Sequence, residues 1–200
     1  RFTRGVDFSF APGTMLAPGA RFVITQPQFE NDTALGNGGE TIKIEDANNS
    51  TVTEFAFDDT APWPTAPDGG GPSLILIQPE TRPNPNIITN WRGSAYKEGN
   101  PGTSDAIPFG GEDPIAYALV DSPRIISTGD GTMLYSYPRR AGADSVRLTV
   151  EWSENLLSWE TAEGAGAYTI ADFEAGTVRE FLQFPPGTRG FARLKATVTP

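Results

Sequence analysis

Turn formers run through the whole chain: 22 glycines and 18 prolines are spread over 200 residues, with no tract gathering them. Glycine opens left-handed conformations, and proline fixes φ and withholds a donor. Scattered in this way, the two residues punctuate many short strands rather than marking a disordered tract. The length suits one large β domain or two of about 100 residues each. Hydrophobic residues at 38% and charged residues at 20% support a packed core that is leaner than that of an average enzyme.

Between the turn signals, apolar residues alternate. Val6, Phe8 and Phe10 alternate with Asp7 and Ser9, which predicts a half-buried strand. Gly13 and Pro18-Gly19 lead into an apolar stretch from Arg21 to Gln26. Thr41 to Asp46 sets Ile42 and Ile44 on one face, Asn48-Asn49 supplies a hairpin turn, and Thr51 to Phe57 returns with Phe55 and Phe57 in phase. Ser73 to Gln78 is apolar on both faces and predicts a central strand. From Pro79 to Gly110 periodicity is lost, giving a loop that packs through Trp91 and then a linker.

Alternation resumes in the second half over Met133, Tyr135 and Tyr137, and over Val146, Leu148, Val150 and Trp152. Ala165 to Ile170, Thr177 to Phe184 and Phe191 to Val198 complete the strands, and Asp113 to Val120 is the one weak helical stretch. The expectation is an all-β chain of two antiparallel immunoglobulin-like β-sandwich modules in tandem. They occupy residues 1–105 and 115–200, with a linker over 106–114.

Charge and composition narrow the function. The net charge of −10, with only 15 scattered Lys and Arg, argues against nucleic acid and against an anionic membrane surface. No apolar run approaches a membrane span, the longest lying near Leu74-Ile75-Leu76-Ile77. Cysteine is absent, so no disulfide framework or thiolate metal site is expected. Histidine is also absent, which removes Ser-His-Asp and Cys-His triads and His-based metal sites. A chain that opens on Arg1 rather than Met reads as a processed product or a fragment of something longer.

An ordered series of residues carries a resemblance. Phe8-Ser9-Phe10-Ala11-Pro12-Gly13-Thr14-Met15-Leu16-Ala17-Pro18-Gly19 fits an F-x-F-x-x-G-x-x-L-x-P-G run. It is followed by Glu40 to Asp46, Phe55-Ala56-Phe57-Asp58-Asp59, Trp63-Pro64, Asp68-Gly69, Ser73 to Leu76, Asn90-Trp91-Arg92 with Ser94, and Gly99-Asn100-Pro101-Gly102. Together these resemble the lamin-tail domains of large bacterial exoproteins. The second half is similar to a C-terminal β module of verrucomicrobial and planctomycete surface proteins. That likeness rests on Tyr117-Ala118-Leu119, Tyr137 to Ala141, Val150 to Ser153, Leu156 with Ser158-Trp159, and Phe191 to Leu194. The resemblance implies an extracellular or cell-surface location and a non-enzymatic role. The family's two opening strands, an N-E-I run and an E-[FY]-[IV]-E-L run, are not in this sequence. Their absence leaves two readings: strands from a neighbouring copy complete the first module, or the module tolerates the gap.

Candidate chemistry is thin. Asp58-Asp59, Glu112-Asp113 and Asp130 could pair as glycosidase carboxylates or bind calcium; capping of their own turns is the simpler account. Trp152 and Trp159 read as core, whereas Trp63, between two prolines, and Trp91 are the candidate contact surface. Three sequons begin at Asn31, Asn48 and Asn49 and predict surface loops. Arg139-Arg140 and Lys195 do not form a basic patch. No catalytic, cofactor-binding or metal-ligating residue is assigned. The expected function is structural or adhesive at the bacterial surface, with other copies or cell-surface components as partners. Strand addition at an assembly edge of Val6, Phe8 and Phe10 would build a filament. The alternatives are a carbohydrate-binding accessory module and, more weakly supported, a hydrolase in its own right.

Overall fold

The computed structural model describes residues 1–162, 166–172, 177–184 and 186–199, of which 166–172 are described by backbone alone. The fold is mostly β, every strand pair is antiparallel, and the strands lie in several small sheets. The chain divides into two compact units. One is Arg1–Ser94 with Glu98–Asp105, and the other is Ala95–Lys97 with Ala106–Pro200.

In the first unit, β1 (Phe2–Arg4), β2 (Glu40–Glu45) and β3 (Thr51–Phe57) form a three-stranded sheet in that order. The β2–β3 hairpin follows its turn chemistry: Asn49 adopts φ of 61°, and the Asp46 carboxylate accepts the N–H groups of Asn48 and Ser50 at 2.8 and 2.9 Å. Ile42 faces Phe55 across the ladder and is buried. Its Cδ1 occupies the space a Cβ at residue 5 would need, and Gly5 stands there with φ of 84°.

Two expectations for this unit are corrected. No regular strand spans Val6 to Phe10; single bridges join Phe8 to Phe2 and Asp7 to Glu30 instead. The chain reverses at Gly5 and folds over its own start, so the Phe2 N–H donates to the Phe8 carbonyl at 2.8 Å. The apolar stretch Arg21 to Gln26 pairs with no strand among the described residues and ends in a 3-10 turn at Gln26–Gln28. Ser73 to Gln78 contributes only β4 (Leu74–Leu76), half-buried and paired with β5 (Trp91–Gly93) in a two-stranded ribbon rather than at the centre of a sheet. Pro72 and Pro79 bound it on both sides.

The stretch from Pro79 onward holds 3-10 turns at Pro79–Thr81 and Ile88–Asn90 before β5. An ion pair between Arg92 and the buried Asp105 ties residue 105 back to β5, and the Ser94 hydroxyl donates to the second Asp105 oxygen at 2.7 Å.

The second unit opens with α1 (Pro114–Ala118). The Asp113 carboxylate caps it by accepting the Ala116 N–H, and Pro114 occupies the first turn. Residues 106–114, expected as a linker, lie in this unit: the Ile107 N–H donates to the Gly142 carbonyl at 2.8 Å, and Phe109 meets Tyr117 edge-on at 5.0 Å. Tyr117 is only 2% exposed, and its hydroxyl donates to the Ile107 carbonyl.

Two sheets follow. One contains β6 (Arg124–Ser127), β7 (Met133–Arg140), β10 (Gly166–Asp172) and β11 (Thr177–Phe184) in the order β10-β11-β7-β6. The other contains β8 (Val146–Ser153), β9 (Glu160–Thr161) and β12 (Phe191–Val198) in the order β12-β8-β9. They share a core of Leu119, Tyr135, Tyr137, Val150, Leu182 and Phe184. Trp152 meets Phe184 within it at 4.8 Å. Ala165, expected to open a strand, lies outside the described residues.

Candidate functional site

Of the aromatic candidates, Trp91 stands at the start of β5, where its ring packs against Phe55 of β3 at 5.2 Å. Its indole N–H donates to the Pro85 carbonyl at 2.8 Å, so both its face and its donor are used inside the unit. Trp63 is 5.9 Å from Trp91 and half-buried; among the described residues its indole N–H meets no protein acceptor. The structure therefore brings the two contact candidates together. Trp159, expected in the core, is half-buried beneath the Arg193 guanidinium, 4.0 Å from its ring centre. Arg193 and Lys195 also flank Glu151 at 2.7 and 3.1 Å, and their hydrogen bonds hold its carboxyl below the usual range.

The expected assembly edge occupies a different environment. Val6 and Phe8 are 4% and 8% exposed, in the interior of the unit. Phe10 is half-buried, and its ring packs against Phe8 and Phe22 at 5.0 and 5.5 Å. The backbone there is also engaged. Asp7 accepts the Glu30 N–H at 2.7 Å and donates to the Thr33 hydroxyl at 2.9 Å, while Ser9 donates to the Glu30 carboxylate. Residues 6–10 therefore offer no free edge, because the loop carrying Glu30 and Thr33 covers it.

Free edges lie elsewhere. β3 flanks its sheet, and among the described contacts only the Asn86 amide reaches its outer side, donating to the Glu54 carbonyl at 3.1 Å. Val52 on that strand is 65% exposed. β6 flanks the four-stranded sheet, and all four of its residues are exposed. Ile125 and Ile126 stand at 61% and 41%. β6 is not legible in the sequence, because Arg124-Ile125-Ile126-Ser127 is too short to show alternation. The Gly129-Asp130-Gly131 turn before Met133 was the available signal for a hairpin.

The carboxylates act locally. Asp58 accepts the hydroxyl and N–H of Thr60, and both bonds lower its pKa. Asp130 bonds the Thr128 hydroxyl and the Thr132 N–H, which bring its pKa down to about 2. Glu112 accepts the Gly110 N–H at 2.8 Å. Each one closes its own turn, and among the described residues no group of three acidic, His or Cys side chains gathers to hold a metal. The sequon residues Asn31, Asn48 and Asn49 are exposed. Among the described residues no helix is long and apolar enough to cross a membrane.

No family model, no curated protein and no solved structure matches this chain.

Proposed function

We propose that the chain is a non-catalytic structural or adhesive protein of the bacterial cell exterior. In this reading a lamin-tail-like module is followed by an immunoglobulin-like sandwich, and copies associate through sheet edges. The observation that carries it is the pair of open edges, β3 and β6, each presenting exposed aliphatic side chains: Val52 on one, Ile125 and Ile126 on the other. Proteins normally blunt such edges with charge, proline or a covering loop, because an unpaired row of N–H and C=O groups templates another strand. The loop over residues 6–10 is an example of that covering, and β6 has no counterpart among the described residues. The ordered lamin-tail motif residues support the assignment of the first module, and the core shared by two antiparallel sheets supports that of the second. Sedimentation of the full chain over a wide concentration range tests the reading: species larger than the monomer are expected to grow with concentration. A monomer throughout would end it.

A second reading is favoured by one observation. Trp63 and Trp91 adjoin at half-exposed positions with the Trp63 N–H open, a geometry that suits stacking on a sugar. In that case Trp63→Ala would abolish retention on an immobilised polysaccharide while the chain still melts as a folded protein.

A further inference from the structure

β6 is open on its face as well as along its edge. Ile125 pairs with Tyr135 across the β6–β7 ladder, and directly opposed residues share a sheet face. Tyr135 is a core residue at 7% exposure, yet Ile125 beside it is 61% exposed. The core-facing side of the edge strand is thus in contact with water. Beside it lies an apolar cavity of about 70 Å³ lined by Ile125, Met133, Tyr135, Trp152 and Phe184. Arg124 is already paired with Asp121 at 2.9 Å, so the start of the edge carries no unbalanced charge.

The chain also holds a strand-forming segment with no ladder. Phe22, Val23, Ile24 and Thr25 are residues that favour strands, and Thr25 is extended at φ −114° and ψ 156°. Phe22 and Val23 are 48% and 45% exposed. Among the described residues, no hydrogen bond engages the backbone of Arg21 to Ile24. This one sequence therefore holds an edge without a strand and a strand without an edge.

We propose that Arg21–Ile24 of a second copy adds as a strand to the free edge of β6. The added strand satisfies both unpaired backbone rows, covers Ile125 and closes the mouth of the cavity. β3 is the weaker acceptor, because Asn86 already occupies the Glu54 carbonyl on its outer side. The contact is heterologous, since the donor and acceptor surfaces differ, so it propagates from copy to copy unless the rotation closes a ring. This inference rests on the self-association reading above and names its surfaces.

Two exposed positions test it in the full chain: Ile125→Lys places a charge on the acceptor, and Val23→Pro removes a donor N–H. Each variant alone is expected to sediment as a monomer, with the association midpoint moved by at least about tenfold in concentration. A one-to-one mixture is expected to recover dimers and nothing longer, because one intact edge then meets one intact segment. If the wild type associates and both variants associate equally well, or if the mixture recovers nothing, this pairing is wrong while self-association stands. If the wild type never associates, both fall.

A second measurement needs no folded variant. A capped peptide of residues 20–27 is titrated into dilute wild-type chain and followed by tryptophan emission, to which Trp152 beside the cavity contributes. Saturable binding that is lost with the Val23→Pro peptide supports the proposal. Absence of a saturable change overturns it.

Discussion

Trp152 is in phase with Val146 and Val150 along β8, its ring lies 4.8 Å from Phe184, and it fills the space a Cβ on Gly190 would need. Trp152→Ala is expected to cost about 3 kcal/mol, the lower end for a large aromatic because the ring is only partly enclosed. Urea unfolding of the second unit reads this directly, and a loss below about 1 kcal/mol would place the ring outside the core. Gly190→Ala is expected to be destabilising at the same site, by about 1–3 kcal/mol, since the added carbon meets both the indole and the Ser153 carbonyl. Asp130 offers a test by pH. Its Thr128 and Thr132 hydrogen bonds lower its pKa from 3.8 to about 2. The ionised carboxylate therefore steadies its turn fully above the unfolded value, and the contribution fades as pH falls through the folded one. An NMR titration of Asp130 is expected to show that low midpoint, and Thr128→Ala to move it up toward 3.8. Of these residues, Trp152 is readable from its alternation with Val146, Leu148 and Val150. Gly190 is not, because its constraint comes from a ring 38 positions earlier in the chain.

Strands whose own residues alternate could be read from the sequence. β8, β11 and β12 lie where their residues place them, as does the β2–β3 hairpin with its Asn49 turn. Of the strands of two to four residues, β4 falls within a stretch that could be read, and the others could not. β1, β5, β6 and β9 are too short to hold a period, and β1, β6 and β9 each lie beside a longer partner. Arg21 to Gln26 shows the converse: the local preference for a strand is present and the partner is not. The same contrast explains the edge. Alternation marked Val6, Phe8 and Phe10 as strand-forming, but the loop covering them comes from residues 30–33, which carry no local sign of that role. Two contacts that fasten elements can be tested by substitution. Asp113→Ala removes the cap of α1 and is expected to cost about 1 kcal/mol by thermal melting. Asp105→Ala removes the partly buried ion pair that fastens residue 105 to Arg92 of β5, and a loss of about 1–3 kcal/mol from the first unit is expected in denaturant unfolding.

At the scale of the whole molecule, each of the two units leaves an edge strand with exposed aliphatic side chains, and the chain holds no histidine or cysteine for catalysis or metal binding. Association of copies through those edges accounts for exposed Ile125 and Ile126 and for the unpaired backbone of Arg21 to Ile24 in one arrangement. Backbone amide exchange of the native chain, compared between dilute and concentrated solution, observes that arrangement most directly. The account expects amides of Arg124–Ser127 and Arg21–Ile24 to slow together with rising concentration while those of β7, already paired, stay constant. Unchanged exchange at both segments, in solutions concentrated well beyond the dilute reference, would contradict it.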